Sequence, residues 1–285
     1  MPMTDRSRNS VLRAWRLLSL PLLFFSITLT ACSGGASRSS APVANAGNPI
    51  APPSVSVTFS SLTPRVRPEQ FTGANFCPPY MNYGSPSLNV EFLCRTGFAI
   101  GHDPQARTPS WVIERLGVSS LNGGIERTDN FRADPDLMVG RRAELEDYAG
   151  SGFDRGHMAP AGDLTWSLQA MSESFYLSNI APQNPSLNRG AWAKLEEEVR
   201  KWVLERADVI VITGPVFGAD STAIGRSPVR VPVAFYKVIF DPFRREGIGF
   251  VYPNSPPTST DIADYQVPIG QIEMMTGMAF ISVRQ

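Results

Sequence analysis

The sequence predicts an α+β fold, a mainly antiparallel central sheet flanked by helices. Three observations predict it. Residues 207–218, "ADVIVITGPVFG", 229–241, "VRVPVAFYKVIFD", and 244–253, "RREGIGFVYP", are β-branched or aromatic runs, and the last two are close enough to pair as a hairpin. Residues 188–206, "NRGAWAKLEEEVRKWVLER", repeat apolar side chains at helical spacing. No second linker or internal repeat interrupts the chain from about residue 60 to the end, so these elements belong to one domain, 59–285.

The chain begins with a different kind of segment. Residues 1–31 carry Arg6, Arg8, Arg13 and Arg16, then a mostly apolar run from Leu17 to Leu29. The run is short for a spanning helix, which needs roughly 20 apolar residues. Its order, basic then apolar then small, is that of a secretory signal peptide. The end, "LTAC", resembles the lipobox of bacterial lipoproteins, which implies that Cys32 is lipidated and becomes the new N-terminus. An ordinary signal peptide or an uncleaved anchor are the alternatives. Ser33 after the cysteine leans towards the outer membrane, so the expected location is the bacterial cell envelope, facing the periplasm or the exterior. Residues 32–58, rich in Ser, Gly, Ala and Pro, read as a flexible linker behind the lipidated cysteine. The 26 basic and 26 acidic residues of the chain leave 22 and 25 once the four arginines and one acid of residues 1–31 are set aside. No bulk positive charge draws the domain to nucleic acid; a local patch would have to do so.

Cys77 and Cys94 remain after Cys32. In an exported, oxidising setting two cysteines at this spacing can close a disulfide; two free thiols or half a metal site are the alternatives. Residues 92–103, "FLCRTGFAIGHD", and 108–116, "TPSWVIERL", read as a strand, a turn and a second strand, with His102 a turn residue. Residues 164–180 contain a helix. Pro232 suits a strand edge or start. On the 188–206 helix, Trp192, Leu195, Val199, Trp202 and Val203 share the buried face. Glu197, Glu198, Lys194, Lys201 and Glu205 share the solvent face. Glu196 points into the edge of the buried stripe, and Arg200 at i+4 is placed to pair with it. A helix-edge ion pair and a carboxylate with a guanidinium facing a site both fit that position.

Residues 151–163, "SGFDRGHMAPAGD", gather a histidine, an arginine and two aspartates among turn formers. A neutral imidazole can take a proton from water, and a nearby guanidinium can stabilise a developing anion. Arg155 and His157 share a face if the segment is extended, and Gly156 lets a substrate come close. On chemistry alone a satisfied turn histidine fits as well. No G-x-S-x-G elbow and no H-E-x-x-H motif is present, which argues against a serine hydrolase of that type and a zincin.

Taken whole, "DRGHMAPAG" (154–162) resembles the active-site signature of the DNA/RNA non-specific endonucleases, the ββα-metal family. "SNIAPQNPSLNRGAWAKLEEEVR" (178–200) resembles its second block. "NFRAD" (130–134), "TGPVF" (213–217) and "VPVAFYKVIF" (231–240) follow its pattern in kind and order, so the likeness spans roughly 75–282. The resemblance implies a ββα-metal active-site motif and an endonuclease that hydrolyses phosphodiester bonds of DNA and RNA without sequence specificity. It implies His157 as the general base, Asn188 as the direct ligand of one Mg²⁺ (Mn²⁺ or another divalent cation in its place), and Glu196 as the carboxylate holding the metal's water shell. Arg155 and Arg200 match the arginines at the scissile phosphate. Asn179 matches the asparagine that positions the histidine or phosphate. Asp154 is expected to fix the turn. DNA and RNA are the expected partners, with the membrane reached through the lipid anchor; a homodimer is compatible with the sequence. Two other classes compete: a non-catalytic nucleic-acid-binding or uptake lipoprotein on the same fold, and a hydrolase of small phosphodiesters.

Overall fold

In the computed structural model the described residues run unbroken from 89 to 280, with isolated ones between 57 and 87 and the pair 282–283. The expected signal peptide, the lipidated Cys32 and nearly all of the 32–58 linker lie outside them. The described residues belong to one compact unit, Pro53–Gln285.

The labels used below are strands β1 (Ser60–Ser61), β2 (Glu91–Cys94), β3 (Phe98–Asp103), β4 (Thr108–Gly117) and β5 (Asp154–His157), helix α1 (Leu168–Ser174), strand β6 (Ile180–Gln183), helix α2 (Ala193–Arg206), strands β7 (Asp208–Val216), β8 (Ala234–Asp241), β9 (Glu246–Pro253) and β10 (Gln266–Val267), and helix α3 (Ile269–Thr276). Seven strands follow one path, β1-β9-β8-β7-β4-β3-β2, and β10 adds to β9; every pairing is antiparallel. Strands β8 and β9 form the expected hairpin, with Ala234 opposite Pro253 and Asp241 opposite Glu246. Strands β5 and β6 stand apart as an antiparallel pair of their own, His157 opposite Ile180.

Helices cover both faces of the sheet. Leu195, Val199, Trp202 and Val203 of α2 pack with Val112, Leu116, Val211, Phe235 and Ile239 on one face. Ile272 of α3 and Phe280 pack with Trp111, Ile113, Ile212, Tyr236 and Val238 on the other. Each fully buried aliphatic side chain contributes roughly 1.5–3 kcal/mol, so the α2 stripe alone accounts for much of that helix's stability. Coverage on both sides also explains why β7 is buried at all nine positions and reads as a continuous apolar run without alternation.

Several elements differ from expectation. Residues 92–103 hold parts of two strands, because Arg95 to Gly97 turns the chain and the Arg95 amide donates to the Phe98 carbonyl. His102 lies in β3, fully buried, its Nε2 2.9 Å from the Arg141 carbonyl. That carbonyl can only accept, so Nε2 carries the proton. The 229–241 run breaks at Pro232: Val229–Arg230 pairs with Ala223–Ile224, and β8 begins at Ala234, interior to the sheet and not at its edge. The long helix opens with a π-helical turn, Leu187–Trp192, kinked at Gly190.

Cys77 and Cys94 are joined by a disulfide, with their Cα atoms 5.7 Å apart. Closing a loop of this length stabilises by about 3 kcal/mol in the chain-entropy picture. A Cys94→Ala protein is expected to lose about that much, read as a lower urea midpoint, with a larger m-value because the unfolded chain is no longer cross-linked.

Candidate active site

The β5–β6 pair and the start of α2 bring the two conspicuous segments of the sequence together. In β5 Arg155 and His157 stand two apart on one side of the strand; Arg155 is exposed, while His157 is buried with 7% of its surface accessible. Between them, a Cβ on Gly156 would come within 2.1 Å of the Gln183 side chain. The glycine is there because β6 packs against it, and not to admit a substrate as the sequence suggests.

Aromatic rings hold the histidine. Phe131 lies 5.3 Å and Phe175 5.0 Å from the imidazole, ring centre to ring centre. The Arg155 guanidinium lies 4.3 Å from the same Phe131 ring, so Arg155 and His157 meet at one aromatic wall. Arg127 stacks 4.9 Å over Phe175. Burial, with the Arg127 and Arg155 charges added, pulls the imidazole down to about 3. The ring is therefore neutral at neutral pH and has a nitrogen free to accept a proton. Its Nε2 has no hydrogen-bond partner among the described residues.

Asn179 is fully buried. Its Nδ2 donates to the Ala159 and Ser174 carbonyls, each at 2.9 Å, and its Oδ1 accepts from the Ala159 amide at 3.0 Å. Its carbonyl takes the Met158 amide at 3.0 Å. All of its groups are engaged in fixing the backbone that follows His157.

Two ties join the 151–163 segment to the helix. Asp154 accepts from Asn188 Nδ2 at 2.9 Å, and from Arg189 Nε at 2.8 Å and Nη2 at 2.6 Å. Burial alone would raise the Asp154 carboxyl; the Arg189 and Asn188 hydrogen bonds outweigh it and hold the group below its ordinary value. An ionised carboxylate only accepts, so the Asn188 amide must turn its nitrogen to Asp154 and its oxygen away. Asp154 thus orients Asn188, beyond the turn-fixing part expected of it. In the second tie Arg200 Nη1 donates to buried Asp163 at 2.8 Å. A Cβ on Gly162 would sit 3.2 Å from that same guanidinium nitrogen. The partner of Arg200 is therefore Asp163 and not Glu196. A helical wheel sees only its own helix, and Asp163 arrives from another segment.

Beneath α2 the sheet contributes charge of its own. Thr213 stands opposite both Val112 and Lys237, so Glu114, Thr213 and Lys237 share the α2-facing side. Lys237 is 1% exposed and donates to Thr213 Oγ1 at 2.7 Å. Burial, then the neighbouring Asp163 charge, pushes Glu114 well above the ordinary carboxylate range. Burial pushes Glu196 up to about 7, Asp163 adding to the rise while Lys237 and Arg200 oppose it. Three carboxylates, Glu114, Asp163 and Glu196, thus stand against two cations, Arg200 and Lys237. Burial favours the protonated form of Glu114, so the layer holds no excess of negative charge, and Glu196, at about 7, is the carboxyl poised to ionise beside a cation.

Sequence reasoning missed Arg127, the Phe131 and Phe175 walls, and the Glu114–Lys237 layer. Arg127 sits in a loop with no periodicity to mark it. Glu114 and Lys237 were legible as charges inside strand-like apolar runs.

The chain as a whole is similar to known proteins. Residues 78–284 match the DNA/RNA non-specific endonuclease family. Human mitochondrial endonuclease G is 38% identical over 218 residues, covering 70% of this chain and 72% of the relative. The mitochondrial nuclease EXOG of Xenopus laevis is 39% identical over 221 residues, covering 71% and 61%. A crystal structure of an EndoG/EndoGI complex superposes with a TM-score of 0.67 at 32% identity, covering 74% of this chain and 93% of the other. These matches correct the expected location: the relatives are mitochondrial nucleases of eukaryotes and not lipoproteins of a bacterial envelope. Among the described residues no helix is long and apolar enough to cross a membrane.

Proposed function

The chain belongs to the DNA/RNA non-specific endonuclease family and is a nuclease; from that premise we propose that it cleaves DNA and RNA with His157 as general base and one divalent cation held through Asn188. The observation that carries this reading is the double tie of Asp154 to Asn188 and Asp163 to Arg200, which sets the histidine segment against the helix.

Neutral His157 takes a proton from a water molecule, and the water oxygen attacks the phosphorus. The P–O bond opposite breaks and the 3′ oxygen leaves, taking a proton from solvent water to become the 3′ hydroxyl. Arg155 and Arg200 hold the phosphate oxygens and offset the charge that builds on them. The aromatic wall of Phe131 and Phe175 keeps the imidazole neutral and in place. Contacts to phosphate carry no base information, which suits cleavage without sequence specificity.

Among the described residues no group of three or more His, Cys, Asp or Glu could hold a metal. That donor set does not disfavour Mg²⁺, which keeps several waters and takes few protein ligands. The Asn188 oxygen, turned away from Asp154, and the Glu196 carboxylate fit such an ion, Asn188 by direct contact and Glu196 through water. When bound, Mg²⁺ supplies Lewis-acid polarisation of the phosphate.

Two outcomes are expected here. Asp154→Asn leaves the Asn188 amide free to turn, so the half-saturating Mg²⁺ concentration rises about 10- to 100-fold, measured by DNA cleavage over a Mg²⁺ series. The Glu196 carboxyl, raised to about 7, holds a proton below that pH which the cation must displace. In the intact enzyme the Mg²⁺ requirement therefore climbs by up to about tenfold per pH unit below 7 and levels off above it. A requirement flat across that range would contradict the assignment of Glu196.

A further inference from the structure

Beside Arg155 a cavity of about 430 Å³ opens between the 3₁₀ turn Leu145–Tyr148 and the start of β5. Its volume lies in the range of small-ligand sites, roughly 300–1,000 Å³. Leu145, Ala149 and Phe153 give it apolar walls, and Leu145 and Ala149 are exposed. Tyr148 also lines it; the residue is 6% exposed and its hydroxyl has no hydrogen-bond partner among the described residues. Gly150 and Gly152 turn the loop with φ of +68° and +80°, and a Cβ on either would meet nothing within 4 Å.

We propose that this cavity is a nucleobase pocket, taking the base of one nucleotide that flanks the scissile phosphate. The proposal rests on the nuclease reading above and names where part of its substrate sits. Three features select a base over the rest of a nucleotide. The ring of Phe153 and the side chain of Leu145 offer apolar surface for stacking, which tolerates every base because each has a π-face. Glu146, exposed on the lining, repels a phosphate. Arg155 belongs both to the lining and to the phosphate clamp, so a group seated here is adjacent along the strand to the phosphate that Arg155 holds. The pocket adds grip more than base reading: of its polar lining, Asp154 is already held by Asn188 and Arg189, while Glu146 and Arg155 are exposed side chains.

The test uses the whole enzyme with Mg²⁺ and short single-stranded DNA in which one base is replaced by a tetrahydrofuran abasic analogue. Cleavage on each side of the gap is read from product lengths. For the wild type, kcat/KM at the phosphate on one side of the gap falls about tenfold. Ala149→Trp fills the cavity from an exposed position; it raises KM for intact DNA about tenfold, changes kcat less than twofold, and loses nothing further at the abasic site. Leu145→Ser, also exposed, moves KM the same way by about threefold. The two losses fail to add because they remove one contact. Full additivity overturns the proposal. So does a wild type indifferent to base removal on both sides, or an Ala149→Trp protein with the wild-type KM. A wild type that cleaves no DNA would instead fail the nuclease reading itself, which keeps the two failures apart.

Discussion

Replacing His157 with alanine is expected to lower kcat on DNA by about 10³-fold or more, with KM nearly unchanged. A positioned general base contributes about 10²–10⁴-fold, and here nothing nearby replaces it. The other histidine, His102, is buried in β3 and bound to the Arg141 carbonyl. Burial keeps His157 neutral, so every enzyme molecule carries the competent base at neutral pH. The loss falls on kcat because the proton moves only in the transition state, while Arg155 and Arg200 still bind phosphate. The imidazole also fills space between Phe131 and Phe175, so some stability is lost with it. A circular-dichroism melt separates the two effects: the variant remains folded at the assay temperature while turnover disappears. A variant cleaving within tenfold of the wild type would remove His157 from the mechanism.

The second large effect is expected at Asn188. An Asn188→Ala protein loses the amide oxygen offered to the cation, and it also leaves the buried side of Asp154 with only Arg189. The expected result is a fall in kcat of about 10²–10³-fold and a half-saturating Mg²⁺ concentration more than tenfold higher. Raising Mg²⁺ recovers part of the lost rate, which distinguishes this variant from His157→Ala. Recovery is the informative readout, since a merely misfolded protein would not respond to the ion. An unchanged Mg²⁺ profile would remove Asn188 from the metal site.

The helix and the site were legible to different degrees, for physical reasons. The buried face of α2 follows from a period of 3.6 residues, which any chain that packs a helix on a sheet must obey, and the structure buries Leu195, Val199, Trp202 and Val203 as that period requires. Periodicity says nothing about partners from elsewhere in the chain. It therefore paired Arg200 with Glu196, while the fold delivers Asp163. Asn179 shows the same limit: its type and place were visible, but its complete burial, with both amide groups engaged by backbone, is a property of the tertiary structure. Strand boundaries failed where a turn hides in an apolar run, at Arg95–Gly97, and where Pro232 separates two strands that read as one. The signal in β7 was a run without alternation, and it needed helices on both faces of the sheet to be understood. Asp154 is the residue whose meaning changed most. In sequence it precedes the arginine as one more turn former; in the fold it faces Asn188 across the β5–α2 junction and decides which atom of that amide is presented.

The central claim is that a neutral, buried histidine and a cation held at Asn188 act together on one phosphodiester. The most direct measurement compares plasmid degradation by wild type and His157→Ala across a Mg²⁺ titration that starts from EDTA-treated protein. The account predicts a wild type silent in EDTA and restored by Mg²⁺, beside a folded variant silent at every Mg²⁺ concentration. A His157→Ala protein that degrades plasmid at the wild-type rate, or a wild type indifferent to EDTA, would contradict it.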